Sequence, residues 1–217
     1  MTAQGGEVRR LVAALVLAAS LSGCRFGSPA AIASAQQGID ACTADSGRPL
    51  LDLQDAFWMC LPGTWRDLRP GDPGWIEIYG NHGSSVEADV ASGTMDHFTV
   101  PLAPRDIDTA VNLAIYMNRG VKPDALDQIG AAYRDQVIRE GSTGVVMTEV
   151  ELAGGRAIEV SGSRVHTAGG GGTDWFDAYI FVSGDIGFYF PFVCTERNRD
   201  HYAPIFRRIA DSIGFPG

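Results

Sequence analysis

The chain has 217 residues, of which 45% are hydrophobic and 20% charged, a composition typical of a globular protein rather than a disordered one. Its formal net charge is -9, and an acidic surface repels the phosphates of nucleic acids and anionic lipid headgroups. Length and charge therefore predict one domain with a sizeable core and exclude nucleic acid as a partner.

Residues 1–23 have the organisation of an export leader. Arg9 and Arg10 form a positive flank ahead of the uncharged apolar run from Leu11 to Leu21. A helix of that run extends roughly 16 Å at about 1.5 Å per residue, which is short of the ~30 Å hydrocarbon core of a bilayer. The pattern predicts a cleaved signal peptide and not a permanent span.

The end of this leader, Leu21-Ser22-Gly23-Cys24, resembles the lipobox of bacterial lipoproteins. The resemblance implies a diacylglycerol on the Cys24 thiol, cleavage before Cys24 and acylation of the new amino terminus. Such a protein is anchored in a membrane without spanning it. Arg25 replaces the aspartate associated with inner-membrane retention, which implies the outer membrane in two-membrane bacteria and the outer face of the plasma membrane elsewhere.

The remaining cysteines are Cys42, Cys60 and Cys194, in a compartment that permits disulfides. Three thiols allow one bridge and leave one over, and the pairs 42–60, 42–194 and 60–194 all stay open. Because the chain has neither a CxxC motif nor a Cys/His cluster, no metal or other cofactor is predicted.

Residues 24–50 are rich in Ala, Ser, Gly and Gln, which predicts a flexible tether with at most a short helix near Ile32–Ile39. A single globular domain over residues 51–217 is then expected. In its first part, apolar runs and alternation predict four strands. These are Phe57–Leu61, Trp75–Tyr79, Val86–Ala91 and, as a short strand or extended connection, His97–Leu102.

The middle of the chain changes to helical spacing. Apolar residues from Ile107 to Ile115 predict a first helix that Gly120 stops, and a stripe from Leu126 to Val137 predicts a second that begins after Pro123. Strands in close order are predicted next, followed by a closing helix. The strands are Val145–Leu152, Arg156–His166, Trp175–Val182 and Ile186–Val193, and the helix is Asp200–Ile213.

The opening FWMCLPGTW, the central helical insertion, the antiparallel hairpins and the final HYAPIFRRIADSIGF resemble the PsbP-like fold, over roughly residues 52–215. The expected fold class is α+β. A mostly antiparallel sheet of six to seven strands would be packed with two central helices and a C-terminal helix, as an α/β/α sandwich. The resemblance implies a binding or assembly role more often than catalysis, and it carries over no functional residue.

Sequence motifs for catalysis are absent: the chain has no Gly-x-Ser-x-Gly, HExxH or P-loop pattern. A run of aromatic residues on the two predicted strands after Gly172 is first of all a core. If helices covered only one sheet face, Trp175, Tyr179 and Tyr189 would instead form an exposed binding surface. A metal site assembled from His166, Asp174 and Asp177 is the weakest of these alternatives.

These observations favour a lipid-anchored cell-envelope protein whose non-catalytic domain binds another envelope component, with a protein as the expected partner. The alternative is an envelope enzyme or a carrier for a small apolar ligand or glycan, with a site between the aromatic strands and the helices at 107–139. A structural spacer without a specific ligand is the third possibility.

Overall fold

The computed structural model describes residues 29–52, 57–67, 95–101, 111–166 and 172–215. The predicted signal peptide and Cys24 lie outside the described residues, as do the predicted strands at residues 75–79 and 86–91. The chain divides into two compact units, one of residues 1–63 with 212–217 and the other of residues 64–211.

The described residues of the smaller unit form a helix and a two-stranded antiparallel sheet. Helix α1 (Pro29–Ala44) is followed by strands β1 (Arg48–Asp52) and β2 (Phe57–Leu61). Ala35 of α1 packs against Trp58 of β2, with Ile32 and Leu51 at the edge of the same cluster. A disulfide between Cys42 and Cys60 joins α1 to β2 across 18 residues of sequence.

Trp58 is held by two close backbone approaches. A Cβ atom placed on Gly38 or on Gly214 would overlap the Trp58 indole, so both positions require glycine. The backbones of Trp58 and Gly214 exchange two hydrogen bonds, of 3.0 and 2.9 Å. A Cβ on Gly47 would likewise overlap the disulfide sulfurs. The unit is thus fixed around one tryptophan and one disulfide.

The prediction of a flexible tether over residues 24–50 is wrong for residues 29–50. These residues form α1 and the start of β1, and the helix is longer than the short one anticipated. Alanine-rich composition looks like a linker, yet alanine is the best helix former. Such a helix is marginal in isolation, and its burial against Trp58 and its disulfide supply contacts that the local composition does not show.

The larger unit contains a seven-stranded antiparallel sheet in the order β3-β4-β5-β9-β8-β7-β6. Its strands are β3 (Trp65–Asp67), β4 (Met95–Pro101), β5 (Asn112–Arg119), β6 (Thr143–Leu152), β7 (Gly155–His166), β8 (Gly172–Ser183) and β9 (Ile186–Thr195). Helix α2 (Leu126–Arg139) lies between β5 and β6, and a short 3-10 helix (Glu196–Asn198) leads from β9 into helix α3 (Arg199–Asp211).

Helices cover both faces of this sheet. Leu126 and Val137 of α2 pack against one face in a cluster with Ile158, Phe176 and Ile180. Because side chains alternate along a strand, the odd-numbered residues of β8 point to the opposite face, where Phe206 of α3 stacks on the Trp175 ring. The predicted α+β class with a mostly antiparallel sheet is confirmed.

The predicted helix over residues 107–119 is wrong where the chain is described, because Asn112–Arg119 form β5 between β4 and β9. Leu113, Ala114 and Ile115 are buried in succession, as expected of a strand that is covered on both faces. Apolar residues at every position also satisfy a helical spacing, so the pattern was ambiguous. Within the described part of this region, residues 111–142, α2 is the only helix, and the start of the predicted first helix lies outside the described residues.

The later elements match the sequence more closely. The stripe from Leu126 to Val137 is α2, the four late strands are β6 to β9, and the closing helix is α3. The β8–β9 hairpin turns at Gly184 and Asp185 as predicted, with Gly184 at a φ of 61°. None of the described helices combines the length and the apolar character needed to cross a membrane.

The contact between α2 and β7 yields a stability prediction. A Cβ on Gly130 would come within 2.8 Å of Ile158 Cγ2, so Gly130→Ala should overpack this contact and lower the unfolding free energy by about 1 kcal/mol despite the better helix propensity. Denaturant titration measures the change. In an Ile158→Ala background, the same substitution should become favourable; a loss of equal size in both backgrounds would contradict the contact.

The disulfide yields a second prediction. Replacing both Cys42 and Cys60 with serine should cost about 3 kcal/mol, because the unfolded chain is no longer constrained by a loop of this length. The test is the denaturation midpoint, followed by intrinsic tryptophan fluorescence, with and without a reductant. Wild type and Cys194→Ala should lose stability on reduction. A Cys194→Ala protein that no longer responds to the reductant would refute the Cys42–Cys60 pairing.

Candidate functional site

Trp175, Tyr179 and Tyr189 do not form the exposed binding surface that was predicted for them. Trp175 is 5% exposed and Tyr179 is 1% exposed. Tyr189 lies half-buried on the other sheet face, where its ring packs against Tyr133 at 5.9 Å. The condition for an exposed aromatic patch was a sheet covered on one face only, and this sheet is covered on both.

The aromatic side chains on the α3 side form a stacked layer instead. Phe206 lies 4.9 Å from Phe192 and 5.9 Å from Trp175, measured between ring centroids, with nearly parallel planes. The Arg199 guanidinium carbon lies 5.1 Å from the Trp175 ring centroid, a cation–π contact at the start of α3. The aromatic run of the sequence is therefore the core beneath α3.

Within this layer lies a buried carboxyl group. Asp177 is 4% exposed and sits on β8 between Trp175 and Tyr179, two residues from each and on the same face. Its Oδ2 accepts a hydrogen bond of 2.8 Å from the Tyr179 hydroxyl. Its Oδ1 is buried and has no hydrogen-bond partner among the described residues. A carboxylate in such a place is costly unless it is neutralised.

Charged groups on β7 and α3 lie near the hydrogen-bonded pair Asp177 and Tyr179. Glu159 of β7 is the cross-strand neighbour of Tyr179. The Arg207 guanidinium of α3 contacts Glu159 Oε2 at 3.7 Å and donates a hydrogen bond of 3.2 Å to Asp211. Two arginines of α3, Arg207 and Arg199, thus act electrostatically on a site that also contains two acidic groups.

Burial is the main cause of an unusual protonation equilibrium at Asp177. It raises the pKa of Asp177 from 3.8 to about 7, with a further increase from the charge of Glu159. The Tyr179 hydrogen bond and the two arginines act in the opposite direction. Burial also raises the pKa of Tyr179, so the phenol remains a hydrogen-bond donor. The arrangement can therefore hold a proton on Asp177 near neutral pH.

Sequence reasoning missed the role of Asp177, although the signal was present. The residue is the one acidic position in the run WFDAYIFV, and a carboxyl within an apolar strand is expected to be buried and perturbed. It was considered only as a metal ligand with Asp174 and His166. Asp174 and Asp177 are three residues apart on β8, so their side chains leave opposite faces and cannot share an ion. No metal-binding group of three His, Cys, Asp or Glu occurs within the described residues.

The three cysteines other than Cys24 have distinct states. Of the pairings left open by the sequence, the structure forms the bond between Cys42 and Cys60. Cys194 keeps its thiol, fully buried on β9 directly opposite Trp175. The lipidation site Cys24 lies outside the described residues and stays a prediction.

No protein-family model matches this chain, and no curated protein matches it. Among solved structures, it is similar to the cyanobacterial PsbP (CyanoP) of Synechocystis sp. PCC 6803, with a TM-score of 0.45, 12% identity and coverage of 78% of this chain and 92% of that chain.

It is also similar to LpqN, involved in cell envelope biogenesis of Mycobacterium tuberculosis, with a TM-score of 0.44, 13% identity and coverage of 79% and 86%. A protein of Bacteroides thetaiotaomicron has a TM-score of 0.48 and 12% identity; the chain covers 49% of its length. These values describe a likeness in fold and say nothing of a shared activity.

Asp177 predicts a pH dependence of stability. Its pKa is raised on folding, so the folded state binds more protons between about pH 4 and 7 and the unfolding free energy falls as pH rises through that window. Asp177→Asn cannot ionise and should be more stable than wild type at pH 8, on the order of 2 kcal/mol, because wild type must bury a carboxylate at that pH.

Denaturant titrations from pH 4 to 8 test this prediction, with Asp124→Asn as the matched control, since that variant removes an exposed carboxyl. The wild type and the control should lose stability toward neutral pH more steeply than Asp177→Asn. Parallel profiles for all three proteins would show that Asp177 does not control this dependence.

Proposed function

We infer that this protein is an exported lipoprotein of the cell envelope, attached by lipid on Cys24, whose folded domain binds another envelope component and does not act as a catalyst. The observation that carries the export is the Cys42–Cys60 disulfide. Structural disulfides persist in oxidising compartments outside the cytoplasm and are rare inside it. A leader pattern and a disulfide are independent signals, and they agree.

The described chemistry supports binding over catalysis. The carboxyl group whose pKa is most suited to proton transfer, Asp177, is almost entirely buried, and so is its partner Tyr179. A general acid or base must reach the proton that it transfers. Both groups are instead enclosed by the aromatic layer under α3, where their effect is on stability. The function reported for LpqN belongs to that protein, and this proposal does not depend on it.

The alternative, an enzyme or carrier, was predicted to have its site at a place where the described elements differ from those expected. That site was expected between the aromatic strands and the helices at 107–139. The described part of this region is β5 and α2, and α2 packs directly on the sheet through Leu126 and Val137. Most of the aromatic rings lie on the opposite face, beneath α3.

Metabolic labelling with a fatty-acid analogue tests the anchor. The wild-type protein should take up the label and partition into the detergent phase, and Cys24→Ala should do neither, because the acceptor thiol is removed. Cys194→Ala is the matched control, since it removes a different thiol and should keep the label. Label that persists in Cys24→Ala would exclude this attachment site.

Cross-linking in intact cells, followed by purification of the lipidated protein, tests the binding role. A specific envelope protein should be recovered repeatedly with wild type and not from cells that lack the protein. Repeated recovery of no specific partner would favour a spacer over a binding domain. Catalytic turnover of an envelope substrate by the purified domain would overturn the proposal.

A further inference from the structure

The start of α1 limits how far the folded chain can lie from a lipid on Cys24. Helix α1 begins at Pro29, and only residues 25–28 separate it from Cys24. Five residue steps span at most about 18 Å even when fully extended. A lipid on Cys24 would therefore keep the first turn of α1 within that distance of the headgroups. A flexible segment up to residue 50 would allow a longer separation, but residues 29–44 form a helix.

The face of α1 that points away from β1 and β2 is nearly uncharged. Its inward side is formed by Ala35, Ile39 and Cys42, which are buried. The exposed residues span about half of the helix circumference at 100° per residue. They are Ala30, Ala33, Ser34, Gln37, Asp40, Ala41, Thr43 and Ala44. Asp40 is the single charged residue of the whole helix, and its Oδ1 accepts a hydrogen bond from Gln36 Nε2 at 2.8 Å.

The other two helices differ from α1 in charge. Helix α2 carries four Asp and Arg residues in 14, and α3 carries five in 13. Removal of Glu7, Arg9 and Arg10 with the leader takes away a net +1 from the chain's -9 and leaves -10. Anionic headgroups repel such a protein wherever its acidic groups come close. The outer face of α1 is a surface where this repulsion is small.

The smaller unit holds α1 in a fixed orientation. The disulfide joins its last turn to β2, and the Trp58 ring occupies the space that Gly38 leaves open in its middle. Movement of α1 relative to β1 and β2 would break the Trp58 packing or strain the disulfide. A lipid attached just ahead of the helix therefore constrains the whole smaller unit and not a loose segment.

We propose that the outer face of α1 lies against the lipid headgroups of the membrane that carries the Cys24 lipid. The smaller unit would then be the part of the protein that contacts the membrane. This inference rests on the proposed lipid anchor. The face lacks large apolar residues, so α1 rests on the headgroup layer without inserting into the acyl chains. The occupant is a lipid surface, and the covalent lipid supplies the attachment energy.

The test uses the full lipidated protein with a fluorophore on Gln37→Cys, in vesicles of phosphatidylcholine and phosphatidylglycerol. Labelling under native conditions leaves the buried Cys194 and the disulfide intact. Quenching by acrylamide, which is uncharged and so not repelled by anionic headgroups, should fall several-fold relative to the same labelled protein made as Cys24→Ser, which stays in solution. Equal quenching in the two proteins, with lipid confirmed on Cys24, would overturn the membrane contact and leave the proposed lipoprotein function standing.

An insertion tests whether the short connection positions the helix. A segment of about 24 Gly and Ser residues after Ser28 has an r.m.s. span of about 27 Å, so quenching of the Gln37 probe should return toward the value in solution. Ala41→Glu and Ala41→Lys are a matched pair at one exposed position. On vesicles with phosphatidylglycerol, Glu should raise quenching and Lys should lower it. Identical quenching in the pair would overturn contact with the headgroups.

Absence of fatty-acid label on the wild-type protein is a separate outcome. It would overturn the lipoprotein proposal itself, and with it the basis for the position of α1. The two failures are therefore distinguishable, because one is measured as lipid incorporation and the other as probe accessibility on a protein known to carry lipid.

Discussion

Burial of both faces of the central sheet is the constraint on which the larger unit depends. Strands β8 and β9 are covered by α2 on one side and by α3 on the other, so most residues along them are buried. Where both faces are covered, a strand has no polar face and its sequence is a continuous apolar run. The aromatic layer under α3 follows from this coverage, as does the perturbed Asp177, since every residue from Trp175 to Phe181 of β8 is buried.

The same constraint separates the elements that could be predicted from those that could not. Helix α2 was predictable because one of its sides faces water, which leaves a clear stripe of apolar residues from Leu126 to Val137. Strand β5 lies between two other strands, and its consecutive buried residues fit a helix as well as a strand. Periodicity identifies a helix or strand when one face is apolar and the other polar. It cannot distinguish a helix from a strand where both faces are buried.

The candidate site could be predicted only in part, for a related reason. The buried aromatic core was a correct interpretation, yet which face each ring occupies depends on strand register and on where α3 packs. Asp177 could have been recognised as a carboxyl in an apolar strand, but its partner Tyr179 and the neighbouring Glu159 and Arg207 come together only through the β7–β8 register and the closing helix. Disulfide pairing likewise needs the distance between Cys42 and Cys60, which no spacing rule supplies.

In the smaller unit, local composition indicates a flexible segment, whereas the tertiary contacts hold the same residues in a helix. An alanine-rich segment of 16 residues forms at best a marginal helix in water. Two contacts distant in sequence make it permanent: the Trp58 ring against Gly38, and the bond from Cys42 to Cys60. The disulfide forms only where thiols are oxidised, so we expect its share of the stabilisation to be lost under reducing conditions while the Trp58 packing remains.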